Sequence, residues 1–183
     1  MMGVLLSASQ LIDGLNRRIA GLAIWCTLVM IVVSFGNALM RRVGRAIGEN
    51  LTFGTAMDLQ WVLFSAMFLL VGGYVILTDG NVRVDVMYSR FSERTRSIIE
   101  VIAAGAFMLP FALLVIYMSW PLVMNSLAVW EQSTLPGGIP PWMIKPLIPL
   151  AFVLVALQSL SHLIKHVAFL TGRGPNPHDP MAR

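Results

Sequence analysis

Four long stretches of the chain contain no Asp, Glu, Lys or Arg: 19–40, 59–78, 101–130 and 146–164. A helix rising about 1.5 Å per residue needs roughly 20 apolar residues to cross the hydrocarbon of a bilayer, and each stretch is close to that length or beyond it. Backbone groups in hydrocarbon must be paired within their own segment, so each stretch is predicted to be a helix. The same helices in a soluble bundle would each carry a polar stripe, and these do not. The predicted fold class is all-α: a polytopic membrane protein with four transmembrane helices and a short N-terminal amphipathic helix. The spans fall at about 19–40, 58–78, 98–124 and 145–167 within a single domain, 1–170.

The segments between the runs carry weaker patterns. Leu11, Ile12, Leu15 and Ile19 recur at helical spacing while Asn16 and Arg17 face elsewhere, which predicts the short amphipathic helix, lying on the membrane surface. Gly44, Gly48 and Gly54 predict a loop over 41–57 rather than a long helix. Asp58 sits where a helix dipole favours an acid at the start of the second span. Asp79-Gly80 reads as a turn. Val82, Val84 and Val86 alternate with Arg83 and Asp85 in a short extended stretch. Ser92 can cap the third helix, and Ser97 with Glu100 has capping-box spacing. Pro110 is expected to kink that helix. Thirty charge-free residues would reach about 45 Å against a core of roughly 30 Å, so the part near Asn125 and Ser126 is expected at headgroup depth. Residues 131–145 hold Pro136, Gly137, Gly138, Pro140 and Pro141 and form a loop, flanked by Trp130 and Trp142 as an aromatic belt predicts. Pro146 suits the first turn of the last span. The tail, 171–183, is expected to be disordered and cytoplasmic.

Composition strengthens the membrane reading. Hydrophobic residues make up 57% and charged residues 12%, against about 25% charged in an average soluble domain. Lys and Arg then set the orientation. The side holding both termini has nine: Arg17, Arg18, Arg83, Arg90, Arg94, Arg96, Lys165, Arg173 and Arg183. The other side has four: Arg41, Arg42, Arg45 and Lys145. Both termini are therefore expected in the cytoplasm. No basic residue precedes Arg17, so the first span is read as a retained anchor rather than a cleaved signal. The lone Cys26 lies inside that span and has no internal disulfide partner. The formal net charge of +4 follows from this basic excess and not from a nucleic-acid stripe.

Several chemistries are disfavoured. Carriers generally need an ionisable or unwound polar site at mid-membrane, and the span interiors have no charge. Ser34, Asn37, Ser65 and Gln158 are read as helix-to-helix hydrogen bonders. Haem between helices needs facing histidines. His162 and His166 share one helix face, and His178 is in the tail. No third ligand joins them for a metal, and no phosphate loop or Ser-His-Asp set is present, so no enzyme activity and no cofactor are expected. The small residues Gly72, Gly73, Ala103, Ala104, Gly105 and Ala106 would let helices approach closely.

One ordered set of short motifs remains. The second span is followed by Asn81-Val82-Arg83-Val84-Asp85, then by Ser92 to Arg96 and the Pro-containing third span. Glu131-Gln132-Ser133, Gly137-Gly138, Lys145 and Gln158 come after. In order and spacing this resembles the small membrane subunit of the tripartite ATP-independent periplasmic (TRAP) transporters, from about Leu11 to His166. The family often has His in place of Asn81, and paired acids where this chain has Asp58 and Gln60. The resemblance implies a bacterial inner-membrane protein that scaffolds a large transport subunit and acts with a periplasmic substrate-binding protein. It implies organic-acid uptake driven by sodium, with the sodium coupling in the large subunit. Arg83, Asp85, Glu131, Ser133, Gly137, Gly138 and Lys145 become candidates for structural or partner contacts. Glu131 and Lys145 could pair with each other or help receive the periplasmic protein. An unrelated four-span scaffold or assembly factor is the alternative.

Overall fold

The computed structural model describes residues 2–49, 51, 54–80, 91–133 and 138–177. Among them are four helices long and apolar enough to cross a membrane. They are α1 (Met2–Ile47), α2 (Gly54–Leu77), α3 (Glu93–Ala128) and α4 (Leu147–Leu170). A single 3₁₀ turn, Pro141–Met143, precedes α4. No strand occurs among the described residues.

The hub is α4. It packs against α1, α2 and α3, and α1 also packs along α2. Its buried residues run the length of the helix: Pro149, Ala151, Leu154, Gln158, Ser159, Ser161, His166 and Ala168. Apart from Ile76 and Val123, the rest of the buried set is small or polar: among them are Ala20, Ala23, Ala104, Ala112, Ser9, Asn16, Ser97 and Ser126. Large apolar residues such as Trp25, Val32, Phe35, Phe68, Phe107 and Tyr117 lie on the outside. A water-soluble core inverts this pattern. In lipid no hydrophobic force drives helices together, so small residues that permit close approach and polar residues that bond across helices occupy the interface.

Two glycine contacts show how close the approach is. At Gly73 an added Cβ would stand 2.2 Å from Asn16 Oδ1 and 3.3 Å from the Leu154 carbonyl, so α1, α2 and α4 meet there. At Gly105 it would stand 3.0 Å from Leu163 Cδ1, where α3 meets α4.

Some local expectations are corrected. The N-terminal segment is not a separate surface helix: it is the first part of α1, which runs unbroken for 46 residues, about 69 Å. Leu11 is 77% exposed while Ser9 and Asn16 are fully buried, because the polar stripe faces α4 and leaves the apolar side outward. The loop predicted from residue 41 begins later. The helix continues through a buried Gly44 to Ile47, and Gly48, at φ +75°, ends it. Asp58 lies beyond the first turn of α2. Ser92 caps α3 by accepting from the Thr95 N–H, so Ser97 falls inside the helix, buried, and closes no capping box.

At Pro110 the helix changes pitch. Ala103–Met108 is a π-helical turn, and the Leu109 N–H reaches the Ala104 carbonyl five residues back. A proline removes one amide donor and crowds the carbonyl four residues before it. Widening the preceding turn relieves that crowding and keeps the run helical.

All four helices end alike. Amides of Glu49, Gly80, Glu131 and Arg173 donate to carbonyls five residues back, at Gly44, Val75, Ser126 and Ala168. The residue before each amide has positive φ: Gly48, Asp79, Trp130 and Gly172. This Schellman closure gives the last carbonyls partners where the chain leaves the helix. The start of the tail packs on the bundle, with Asn176 Nδ2 donating to Glu93 Oε2 at 3.0 Å.

Candidate functional site: two polar clusters at the ends of the bundle

The first cluster joins α1 to α4 at the end holding the N-terminus. Ser9, Asp13 and Asn16 recur at helical spacing on one face of α1. Gln158, Ser161 and Lys165 do the same on α4. The stripes interlock. Asp13 Oδ1 accepts from Gln158 Nε2 at 2.8 Å and from Ser161 Oγ at 2.9 Å. Lys165 pairs with Asp13 Oδ2. Asn16 Nδ2 donates to Gln158 Oε1 at 2.8 Å. Asn16 Oδ1 has no ordinary donor and lies over the Cα of Gly73, where a weak C–H···O contact is available. Beside this cluster His162 Nε2 sits 3.1 Å from Glu100 Oε2 on α3, and its ring lies 4.4 Å from that of His166. α4 is thus tied to α1 and to α3 at the same level.

The second cluster lies at the opposite end, around the loop between α3 and α4. Glu131 and Lys145 form an ion pair across that loop, and Ser126 Oγ also donates to Glu131. The Lys145 hydrogen bond, then that of Ser126, holds the Glu131 carboxyl below its ordinary range. Asp58 of α2 accepts from the Ile139 N–H at 3.2 Å and from Ser133 Oγ at 3.4 Å. Gly138 makes that docking possible: a Cβ there would stand 2.2 Å from Ser133 Oγ and 2.3 Å from Asp58 Oδ2. Trp130 meets Trp142 edge to face at 5.2 Å.

The structure therefore gathers Glu131, Ser133, Gly138 and Lys145 at one end. Arg83, Asp85 and Gly137 lie outside the described residues. Asp13, Asn16 and Ser161 did not stand out in the sequence as site residues, although the paired i, i+3/i+4, i+7 polar stripes on two apolar helices were the signal available. Neither cluster resembles a catalytic arrangement. Every charge named in them has a partner at a helix end, and the span centres hold no Asp, Glu, Lys or Arg.

The profile of one protein family, described as "Tripartite ATP-independent periplasmic transporters, DctQ component", matches residues 30–169. No curated protein and no solved structure matches the chain.

Proposed function

Because the chain belongs to the DctQ component family of the tripartite ATP-independent periplasmic transporters, we propose that this small membrane subunit works as a non-catalytic scaffold for the large transport subunit. It sits in a bacterial inner membrane with both termini in the cytoplasm. The transporter it serves takes up organic acids with sodium, and the substrate and sodium sites belong to other subunits, as does capture by a periplasmic binding protein. One observation carries this reading: the span interiors contain no Asp, Glu, Lys or Arg, while the charged groups of the two clusters are bonded at the ends of a bundle centred on α4. Such a bundle holds a fixed shape and offers no mid-membrane site to a moving ion or carboxylate.

On this reading the backbone at Ile139, docked on Asp58, faces the periplasm, where it can help to meet a periplasmic protein. Arg83 and Asp85 serve assembly with the large subunit from the cytoplasmic side. The test is copurification. A tagged chain should bring down a large polytopic membrane protein, and Asp85→Ala should reduce its recovery. The chain alone in proteoliposomes should take up no organic acid under a sodium gradient. Sodium-driven uptake by the single subunit, or isolation of the chain with no such partner, would overturn the proposal.

A further inference from the structure

The charge-free run of α1 ends at Met40, and three arginines follow it closely: Arg41, Arg42 and Arg45. The helix continues through all of them to Ile47. They stand three, four and seven positions after Ala38, which puts them on one helix face with it. The exposed Ala38, Phe35 and Ile31 continue that face down the span. Val33, Gly36 and Asn37, on another side of the helix, look towards Ala56 and Leu59 of α2.

These arginines are exposed, and among the described residues no carboxylate, Glu49 included, pairs with any of them. At the same end of the bundle Glu131 is taken by Lys145, and Asp58 by the Ile139 amide. The helix dipole favours cations in the last turn, which accounts for Arg45. Arg41 and Arg42 lie more than a turn before the end and need another reason. Their depth supplies one. At about 1.5 Å per residue the run 19–40 rises about 33 Å, close to the hydrocarbon thickness of roughly 30 Å. Arg17 and Arg18 mark one edge of that slab, and Arg41 and Arg42 the other.

Three guanidinium groups with no counter-ion call for a partner of net negative charge. At the edge of the hydrocarbon the available anions are phosphate diesters, and a guanidinium binds a phosphate through two parallel N–H···O bonds. A zwitterionic headgroup brings its own ammonium into the cluster, where three arginines repel it. A headgroup whose only charge is the phosphate meets no such repulsion. We infer that this face of α1 binds an anionic phospholipid. The phosphate accepts from Arg41, Arg42 and Arg45, the small Ala38 leaves room for the glycerol at the junction, and the acyl chains run down past Phe35 and Ile31. The inference rests on the membrane-spanning fold and not on the transport reading, and its readout needs no transport.

The test uses the full chain, with whatever partner copurifies, in phosphatidylcholine nanodiscs. Cys26→Ala with Ala38→Cys places a bimane label on the face, and the signal of the same preparation with Ala38 unchanged is subtracted. Phosphatidylglycerol or phosphatidylethanolamine, brominated near the headgroup, is added at equal mole fraction. Phosphatidylglycerol should associate at least roughly fivefold more strongly, the factor that one basic residue near an anionic surface contributes. Arg41→Gln, Arg42→Gln and Arg45→Gln together should bring the ratio to about one. Salt at about 1 M, where the screening length is about 3 Å, should lower it. Arg17→Gln, Arg18→Gln and Arg94→Gln together remove the same charge at the other end and should leave it unchanged. Without any label, native mass spectrometry should count one phosphatidylglycerol fewer on the Arg41, Arg42 and Arg45 variant. Equal quenching by the two lipids, with no adduct lost in that variant, overturns the proposal, as does a preference that survives the triple change. Quenching by neither lipid, again with no adduct lost, means that a partner protein covers the face, and the proposal fails. Displacement of the brominated lipid by millimolar inorganic phosphate overturns the lipid as the source of the phosphate.

Discussion

Gly73 and Glu131 illustrate two ways a single residue constrains this bundle. At Gly73 a methyl group would collide with Asn16, which has itself no room to move between α2 and α4. Gly73→Ala should therefore destabilise the bundle by about 1–3 kcal/mol, the usual range for overpacking. Asn16→Ala in the same chain should recover part of the loss, since the two residues are coupled. Thermal melts of the three variants in detergent check this. Glu131 acts through charge. Its carboxyl is held below the ordinary range by Lys145 and Ser126, so its folded-state value lies under its unfolded one. The stability it contributes is complete above the ordinary carboxylate range and is lost as pH falls through the lowered folded value. Acidification from neutral pH should lower the melting midpoint, and Glu131→Gln should flatten that part of the profile. An unchanged slope in the Gln variant would show that the pair contributes nothing.

Among the elements, α1 depends most on its neighbours. Helical spacing marks the apolar side of its N-terminal part for the membrane, and that side is the outward one; what the spacing does not say is that the polar side is bound by α4. The Asp13 cluster is what keeps this segment on α4. Asp13→Ala would remove bonds to Gln158, Ser161 and Lys165, and a hydrogen bond to a charged group is worth about 1.5–3 kcal/mol. Opening of the segment should become roughly ten- to a hundredfold more frequent. Ser9→Cys, in a Cys26→Ala background, reports it: a water-soluble maleimide should react slowly in that chain and faster by that factor once Asp13→Ala is added. An equal rate would mean that α1 is held by other contacts. In α3 the element-level feature is the π turn before Pro110, which lets a proline sit inside a long helix while Ala104 and Gly105 stay against α4.

For the whole molecule, the two ends differ in kind. One end carries the start of α1, the end of α4 and the α1–α4 cluster. The other carries the loop docked on Asp58 and pinned by Glu131 and Lys145. The excess of lysine and arginine on the first end predicts that it faces the cytoplasm. In whole cells lacking Cys26, Gln132→Cys should be labelled from outside by an impermeant reagent, and Arg94→Cys should be labelled only after lysis. The reverse pattern would invert the assignment.

Span number, helical class and family were legible in the sequence. Charge-free runs of bilayer length admit one backbone solution, and short motifs in a set order identify a family without any coordinate. The ends of helices were partly legible: Gly48 and Gly172 mark two terminations, while Trp130 adopts the same left-handed conformation without a residue type that announces it. What the tertiary structure alone decided is which polar residues meet. Asp13 and Lys165 are 152 positions apart, as are Ser9 and Ser161, and nothing local in either segment names the other. In lipid, apolar periodicity cannot say which face is inside, because hydrocarbon and protein interior are equally apolar. The polar stripes choose the inward face, and they do so only once α4 is in place to receive them.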